Sequence, residues 1–205
     1  MASWDNWMPE LVLAAPDAPV PLIHMCLNRA ARTFTRETRA WQEWLEPTEV
    51  TGEAFKEYSF ELPQGSELLR IERASLNGRD IEIARARDMS ADPWKHSRGG
   101  CTYLVSPDLR TFTVGSPSVG ALQVYASVLP TVRATSIPDS VGTLYHEAIR
   151  EGAKVELLNT RGTDYYAPDQ AAVSLAFFRQ AIDSAMTDVW QSNTPNGGRG
   201  RVRWC

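Results

Sequence analysis

The chain has 205 residues, 43% of them hydrophobic, and a formal net charge of −4. That length is long for one domain and short for two, and the composition belongs to a chain that buries a core, not to a disordered one. The acidic balance excludes nucleic-acid binding by overall charge, so any basic function has to be local, and no apolar run approaches the ~20 residues of a membrane span.

Residues 1–7 show neither the basic start nor the apolar stretch of a signal peptide, so the expectation is folding in a reducing cytosol. The three cysteines, Cys26, Cys101 and Cys205, are odd in number and far apart. Such spacing predicts thiols, with neither a disulfide framework nor the clustered ligands of a zinc site.

Residues 1–16 carry Trp4, Trp7, Met8 and the apolar run Leu11, Val12, Leu13. They read as an extended arm or a short packing segment, tied down by the two tryptophans. Asp17 followed by prolines predicts a helix start. Ile23, Leu27, Ala30 and Phe34 then recur at helical spacing, so a helix is expected from about 20 to 39. Residues 41–46 lead out as a strand that Pro47 stops.

From 53 to about 130 the pattern is that of strands. Phe55, Tyr58, Phe60 and Leu62 form one, and residues 68–73 a second. Asn77-Gly78 is a two-residue hairpin signal, with residues 80–84 alternating beyond it. A polar loop, 88–100, precedes a second hairpin made of 101–105 and 110–114. Leu122, Val124, Tyr125 and Val128 make the exit strand, ended by Pro130. The expectation is an antiparallel region of five to six strands, a usual sheet size.

After Pro138, capped by Asp139 or Ser140, the residues Val141, Tyr145, Ala148, Gly152 and Val155 predict one helix. Pro168 starts another, with the seam Ala171, Leu175, Phe178, Ile182, Ala185 and Val189, suited to antiparallel packing on its predecessor. Pro195 and the following glycines forbid its continuation. The fold class expected is α+β: a small helical bundle, one N-terminal and two C-terminal helices, with an inserted antiparallel β region and an extended C-terminal arm. The corresponding domains are 1–50 with 136–192 (bundle), 51–135 (β insertion) and 193–205 (docking arm).

No dense catalytic signature is present. Of the histidines His24, His96 and His146, none has a metal-ligand partner at a useful spacing; His146-Glu147 begins a zinc-protease motif but lacks its second histidine. Gly99-Gly100 leads into a strand, which excludes a phosphate-binding loop, and no nucleophile elbow occurs. The expectation is a non-enzyme with no cofactor and no metal.

Two basic features remain. Arg29, Arg32, Arg36 and Arg39 form one stripe on the first helix. Its plain and preferred reading is a solvated face; the functional one is a contact with an acidic partner or a neighbouring subunit, to which Trp94 and His96 of the 88–100 loop could add. In the arm, Arg199, Arg201 and Arg203 alternate with Val202 and Trp204. If extended, the arginines take one side and the apolar residues the other, the pattern of a peptide that adds to a sheet edge or lies in a groove. A tolerated, disordered terminus and an arginine-glycine nucleic-acid arm are the other readings, the last the poorest with three charges.

In the order of these segments the chain resembles the head-to-tail adaptor, or connector, proteins of tailed bacteriophages. The resemblance runs through residues 21–34 and 38–47, Tyr58 to Pro63, residues 122–130, Leu157-Leu158, residues 166–169 with Phe178, and the basic arm 200–204. It implies a virion structural protein, a dodecameric homo-oligomeric ring below the portal that joins the DNA-filled capsid to the tail. Implied partners are the portal protein, bound through Arg199, Arg201, Val202, Arg203 and Trp204, and tail or neck proteins. DNA would pass through the channel without sequence-specific binding, and no membrane is involved. The implied location is the neck of the virion, after assembly in the host bacterial cytoplasm. The alternatives are a tail-side neck or terminator protein and a module that uses its basic arm on nucleic acid.

Overall fold

Trp4 and Trp7 are both buried in the computed structural model, which describes residues 1–53, 56–84, 102–115 and 118–192. The segment around them is therefore a packing segment, and it is helical, not extended. After the short strand β1 (Ala2–Ser3) a 3-10 turn (Trp4–Trp7) runs into α1 (Met8–Ala14), which buries Leu11. The long α2 (Val20–Thr38) follows. Its N-cap is Pro19, with no side-chain capping bond, and not Asp17. A turn in which the Ala18 N–H donates to Ala15 O holds Asp17 short of the helix. At the other end Arg39 takes left-handed backbone angles, φ 54°, and closes α2 without a glycine.

Among the described residues ten strands follow: β2 (Gln42–Trp44), β3 (Thr48–Thr51), β4 (Glu57–Ser59), β5 (Ser66–Leu76), β6 (Arg79–Asp80), β7 (Glu82–Ala84), β8 (Tyr103–Val105), β9 (Thr111–Val114), β10 (Val119–Pro130) and β11 (Ser136–Ile137). After them, again among the described residues, come the helices α3 (Asp139–Leu144), α4 (His146–Leu158) and α5 (Pro168–Ser192). Two compact units result, one of Met1 with Trp41–Pro138 and one of Ala2–Ala40 with Asp139–Cys205.

The first unit corrects the expected fold class. It is not a small β region inserted in a helical bundle; the molecule is a strand-rich α+β protein. Among the described residues this unit holds a five-stranded sheet, β2-β10-β5-β6 with β3 also on β10, and a four-stranded sheet, β4-β9-β8-β7. Two physical features account for the difference. Residues 41–51, which read as one short strand and a stop, are two strands that share β10, pairing Tyr125 with Trp44 and Val119 with Thr51. In addition β5 and β10 run 11 and 12 residues, because both bury side chains along nearly their whole length.

The sheet is also not wholly antiparallel, since β7 and β8 pair in parallel. A connection as long as residues 85–102 permits this, whereas a tight hairpin enforces antiparallel pairing. The expected strand positions Phe55 and Cys101 and the 88–100 loop lie outside the described residues. Two tight turns agree with expectation. Asn77 and Gly78 have φ 51° and 76°, as a two-residue hairpin turn between β5 and β6 requires, and β8 and β9 form the second hairpin.

Asn77 does more than turn the chain. Its Oδ1 accepts from the Ala121 N–H at 3.1 Å and its Nδ2 donates to Val119 O at 2.9 Å. Between those residues lies Gly120, at φ 143°, where a methyl group would sit 2.0 Å from Asn77 Oδ1. The core of the unit is built of Leu68, Ile71, Leu76, Leu104, Leu122, Val124 and Val128, with Phe112 wholly buried beside Tyr58 and Phe60.

In the second unit α2 lies against both α4 and α5. Ile23, Leu27, Ala30, Ala31 and Phe34 are buried, and Phe34 meets Tyr145 at 4.8 Å and Phe178 at 6.4 Å between ring centroids. The single helix expected after Pro138 is two, because Tyr145 leaves helical geometry (φ −115°, ψ 26°) with its ring against Phe34. The seam of α5 buries Ala171, Phe178 and Ala185, with Ile182 partly buried beside them. Gly152 sits at the crowded centre, where a Cβ would lie 2.8 Å from the Phe178 ring and 2.9 Å from Ala30 Cβ.

Gly152→Ala is expected to lower the melting temperature. Overpacking costs about 1–3 kcal/mol, against a helix-propensity gain of at most about 1 kcal/mol; a raised melting temperature would show that the three helices can separate freely. Asn77→Asp, which sets a carboxylate oxygen against Val119 O, is expected to destabilise by about 1 kcal/mol. Its measurement is faster amide hydrogen exchange at Asn77 and Ala121.

Candidate functional site

The arginine stripe lies on α2 with unequal surroundings. Arg29 Nη1 donates to Glu156 Oε2 at 3.3 Å, Arg36 is exposed, Arg32 is half-buried, and Arg39 falls beyond the last helical residue. Glu156 is itself partly buried, and burial raises its carboxyl above the ordinary value of 4.5 against the opposing pull of Arg29. Next to it the Cys26 thiol is pushed up to about 12, chiefly by burial and then by the charge of Glu156. Cys26 is therefore a protonated core thiol, poorly suited to nucleophilic chemistry.

Neither histidine on α2 or α4 forms a metal-binding arrangement. His24 Nε2 lies 3.1 Å from Asp5 Oδ1. The His146 ring stacks on Trp7 at 4.8 Å, and its backbone oxygen accepts from Trp7 Nε1 at 2.9 Å. Among the described residues no group of three or more His, Cys, Asp and Glu side chains could hold a metal ion, and no helix is long and apolar enough to cross a membrane.

The most developed polar feature lies on the outer side of α4. Arg150 donates from Nη1 to Glu10 of α1 and from Nε to Glu151 Oε1, the latter at 3.0 Å. Lys154 Nζ donates to the same Glu151 oxygen at 2.9 Å, and Ser174 Oγ of α5 donates to Glu151 Oε2 at 2.7 Å. Burial alone would raise the Glu151 carboxyl, but the hydrogen bonds from Lys154, Ser174 and Arg150 outweigh it and hold it below its ordinary value. The hydrogen bond from Arg150 does the same for Glu10, against a smaller effect of burial.

Arg150, Glu151, Lys154 and Ser174 line a groove of about 740 Å³ between α4 and α5, together with Val173, Phe177 and Gln180. Within it the Glu151 carboxylate accepts from Arg150, Lys154 and Ser174, and Leu158, Val173, Phe177 and Ala181 supply apolar lining. No protein-family model matches the chain, and no curated protein matches it.

Of the residues proposed from sequence, the structure brings Arg29, Arg32 and Arg36 onto one helix. Trp94, His96, Arg199, Arg201, Val202, Arg203 and Trp204 lie outside the described residues. Sequence reasoning missed the Glu10–Arg150–Glu151–Lys154–Ser174 network. Arg150, Glu151 and Lys154 are near neighbours on one helix, a signal that could have been read; Glu10 lies 140 positions away from Arg150 and carries no such signal.

Glu10 and Glu151 have folded-state carboxyls below 4.5, so the stability they contribute is complete above that pH and is lost as pH falls through their lowered values. Glu156, raised, acts in the opposite sense. Glu151→Gln is expected to cost about 1–2 kcal/mol at pH 7, from loss of charged hydrogen bonds. The gap to wild type should narrow as pH falls through the lowered native value of Glu151, where its carboxylate protonates; a gap that stays constant down to the acid unfolding of the wild type would assign the loss to packing and not to charge.

Proposed function

We propose that the protein is a non-enzymatic structural component of a tailed-phage neck, a head-to-tail adaptor that assembles as a ring and joins the DNA-filled capsid to the tail. The observation that carries this reading is the apolar surface of α5 outside its seam. Val173 and Phe177, 57% and 58% exposed, lie on one side of the helix, and Met186 and Trp190, 47% and 78% exposed, on another. A helix apolar on both sides is one built to be covered on both, and apolar surface rimmed by charge marks a protein–protein contact. The resemblance to connector proteins supplies the kind of assembly.

The self-satisfied charges of the α4–α5 groove support a structural role over a catalytic one. An enzyme site of that size would present polar groups converging on a ligand, whereas Glu151 is fully occupied by Arg150, Lys154 and Ser174. In this reading the alternating residues Arg199, Arg201, Val202, Arg203 and Trp204 dock on the portal protein, with Trp204 as the anchor.

Deleting residues 194–205 is expected to leave the circular dichroism spectrum and melting temperature of the protein unchanged while abolishing attachment to portal-bearing heads. Head–tail joining in vitro is the measurement, with Trp204→Ala giving most of the same loss. Truncated protein that still joins tails to filled heads would remove the docking role from the arm.

A further inference from the structure

Asn77 and Gly78 are a reactive pair held in an unreactive pose. In an Asn-Gly pair the backbone nitrogen of the glycine can attack the asparagine Cγ, because glycine has no Cβ to block the approach. The other described asparagines lack this opening: Asn6, Asn28 and Asn159 are followed by Trp7, Arg29 and Thr160. Asn77 and Gly78 are both exposed, and a Cβ on Gly78 would meet nothing within 4 Å. Water and base therefore reach the turn.

What restrains the pair is hydrogen bonding. Asn77 Oδ1 accepts from the Ala121 N–H at 3.1 Å, and Nδ2 donates to Val119 O at 2.9 Å. The Asn77 backbone N–H donates to Ala121 O at 3.0 Å. The carboxamide is thus turned onto β10 with both of its polar atoms engaged. The backbone is fixed as well, since φ values of 51° and 76° at Asn77 and Gly78 belong to the tight turn between β5 and β6. Closing a five-membered ring onto the Gly78 nitrogen needs rotation about both the side chain and the backbone of Asn77, which these bonds oppose.

We infer that Asn77 is a site of spontaneous deamidation whose rate is set by the opening of its hydrogen bonds to Val119 and Ala121. In the open state the Gly78 nitrogen gives its proton to base and bonds to Asn77 Cγ. The Cγ–Nδ2 bond breaks, and the side-chain nitrogen takes a proton from solvent and leaves as ammonia. The succinimide so formed takes up water, which opens it at either carbonyl: one opening gives aspartate, the other isoaspartate. Neither product can restore the clip. Aspartate lacks the donor to Val119 O and sets a carboxylate oxygen against it, while isoaspartate runs the main chain through the side chain and lengthens the turn by one carbon. The damage falls at the start of β10, where the backbone at Gly120 passes close to the Asn77 carboxamide. The chemistry is the same whether or not the protein is an adaptor.

The test follows the Asn77 peptide of the full-length protein by mass spectrometry in mildly alkaline buffer, with aspartate and isoaspartate separated by chromatography. Asn77 is expected to convert in unfolding urea and to convert at least about tenfold more slowly in the folded protein, since strand regions open only rarely. In low urea, where circular dichroism still shows a folded protein, the rate should rise in proportion to hydrogen exchange at the Ala121 amide. Gly120→Ala places a methyl group on the carboxamide, and the folded variant should convert about tenfold or more faster than wild type in buffer, because local opening is no longer rare. Should that variant not fold, the low-urea series on wild type decides alone. The inference is overturned if folded and unfolded protein convert equally fast, if the rate does not follow Ala121 exchange, or if folded Gly120→Ala protein converts no faster than wild type.

Discussion

At Gly152 three helices approach so closely that hydrogen is the only side chain that fits, with the Phe178 ring on one side and Ala30 on the other. That contact sets the spacing of α2, α4 and α5, and much of the helical unit follows from it. Phe34 can reach both Tyr145 and Phe178 because the axes are near at this point. With the inner faces spent on one another, the outer faces of α2 and α5 are left for something else. A glycine in mid-helix costs about 1 kcal/mol in intrinsic propensity, and here tight packing offsets it.

The strand unit depends in a similar way on one element. β10 pairs with β5 along one edge and with β2 and β3 along the other, with register shifts at Tyr125/Ala126 and Ser127/Val128. Bulges of this kind bend a strand and sharpen its twist. Beside the shifts lies a part-buried polar chain: Ser127 donates to Glu72 at 2.7 Å, and Tyr125 donates to Gln42 at 3.1 Å. A strand carrying partners on both edges cannot slip register without breaking both sets of pairs.

The proposed role draws on what remains once these cores are closed. α2 leaves Met25 exposed, α5 leaves Val173 and Phe177 exposed, and the Glu151 carboxylate between α4 and α5 is already hydrogen-bonded by Arg150, Lys154 and Ser174. Exposed apolar side chains grouped on a helix suit protein association.

Helical periodicity was enough to read α2 and α5, because their apolar residues recur at 3–4 spacing and prolines mark their starts. The Asn77-Gly78 turn was equally legible, since positive φ at two successive residues strongly favours that pair of amino acids. The sequence by itself therefore determined the long helices, their seams and the tight turns, all of which are local. The tertiary structure alone decided that residues 41–51 are two strands of a five-stranded sheet, that β7 pairs in parallel with β8, and that Glu10 meets Arg150. Those features join residues far apart in the chain, and their free energy comes from hydrogen bonds and burial that exist only after the chain has closed on itself. No local pattern of polar and apolar residues encodes which distant partner will be present.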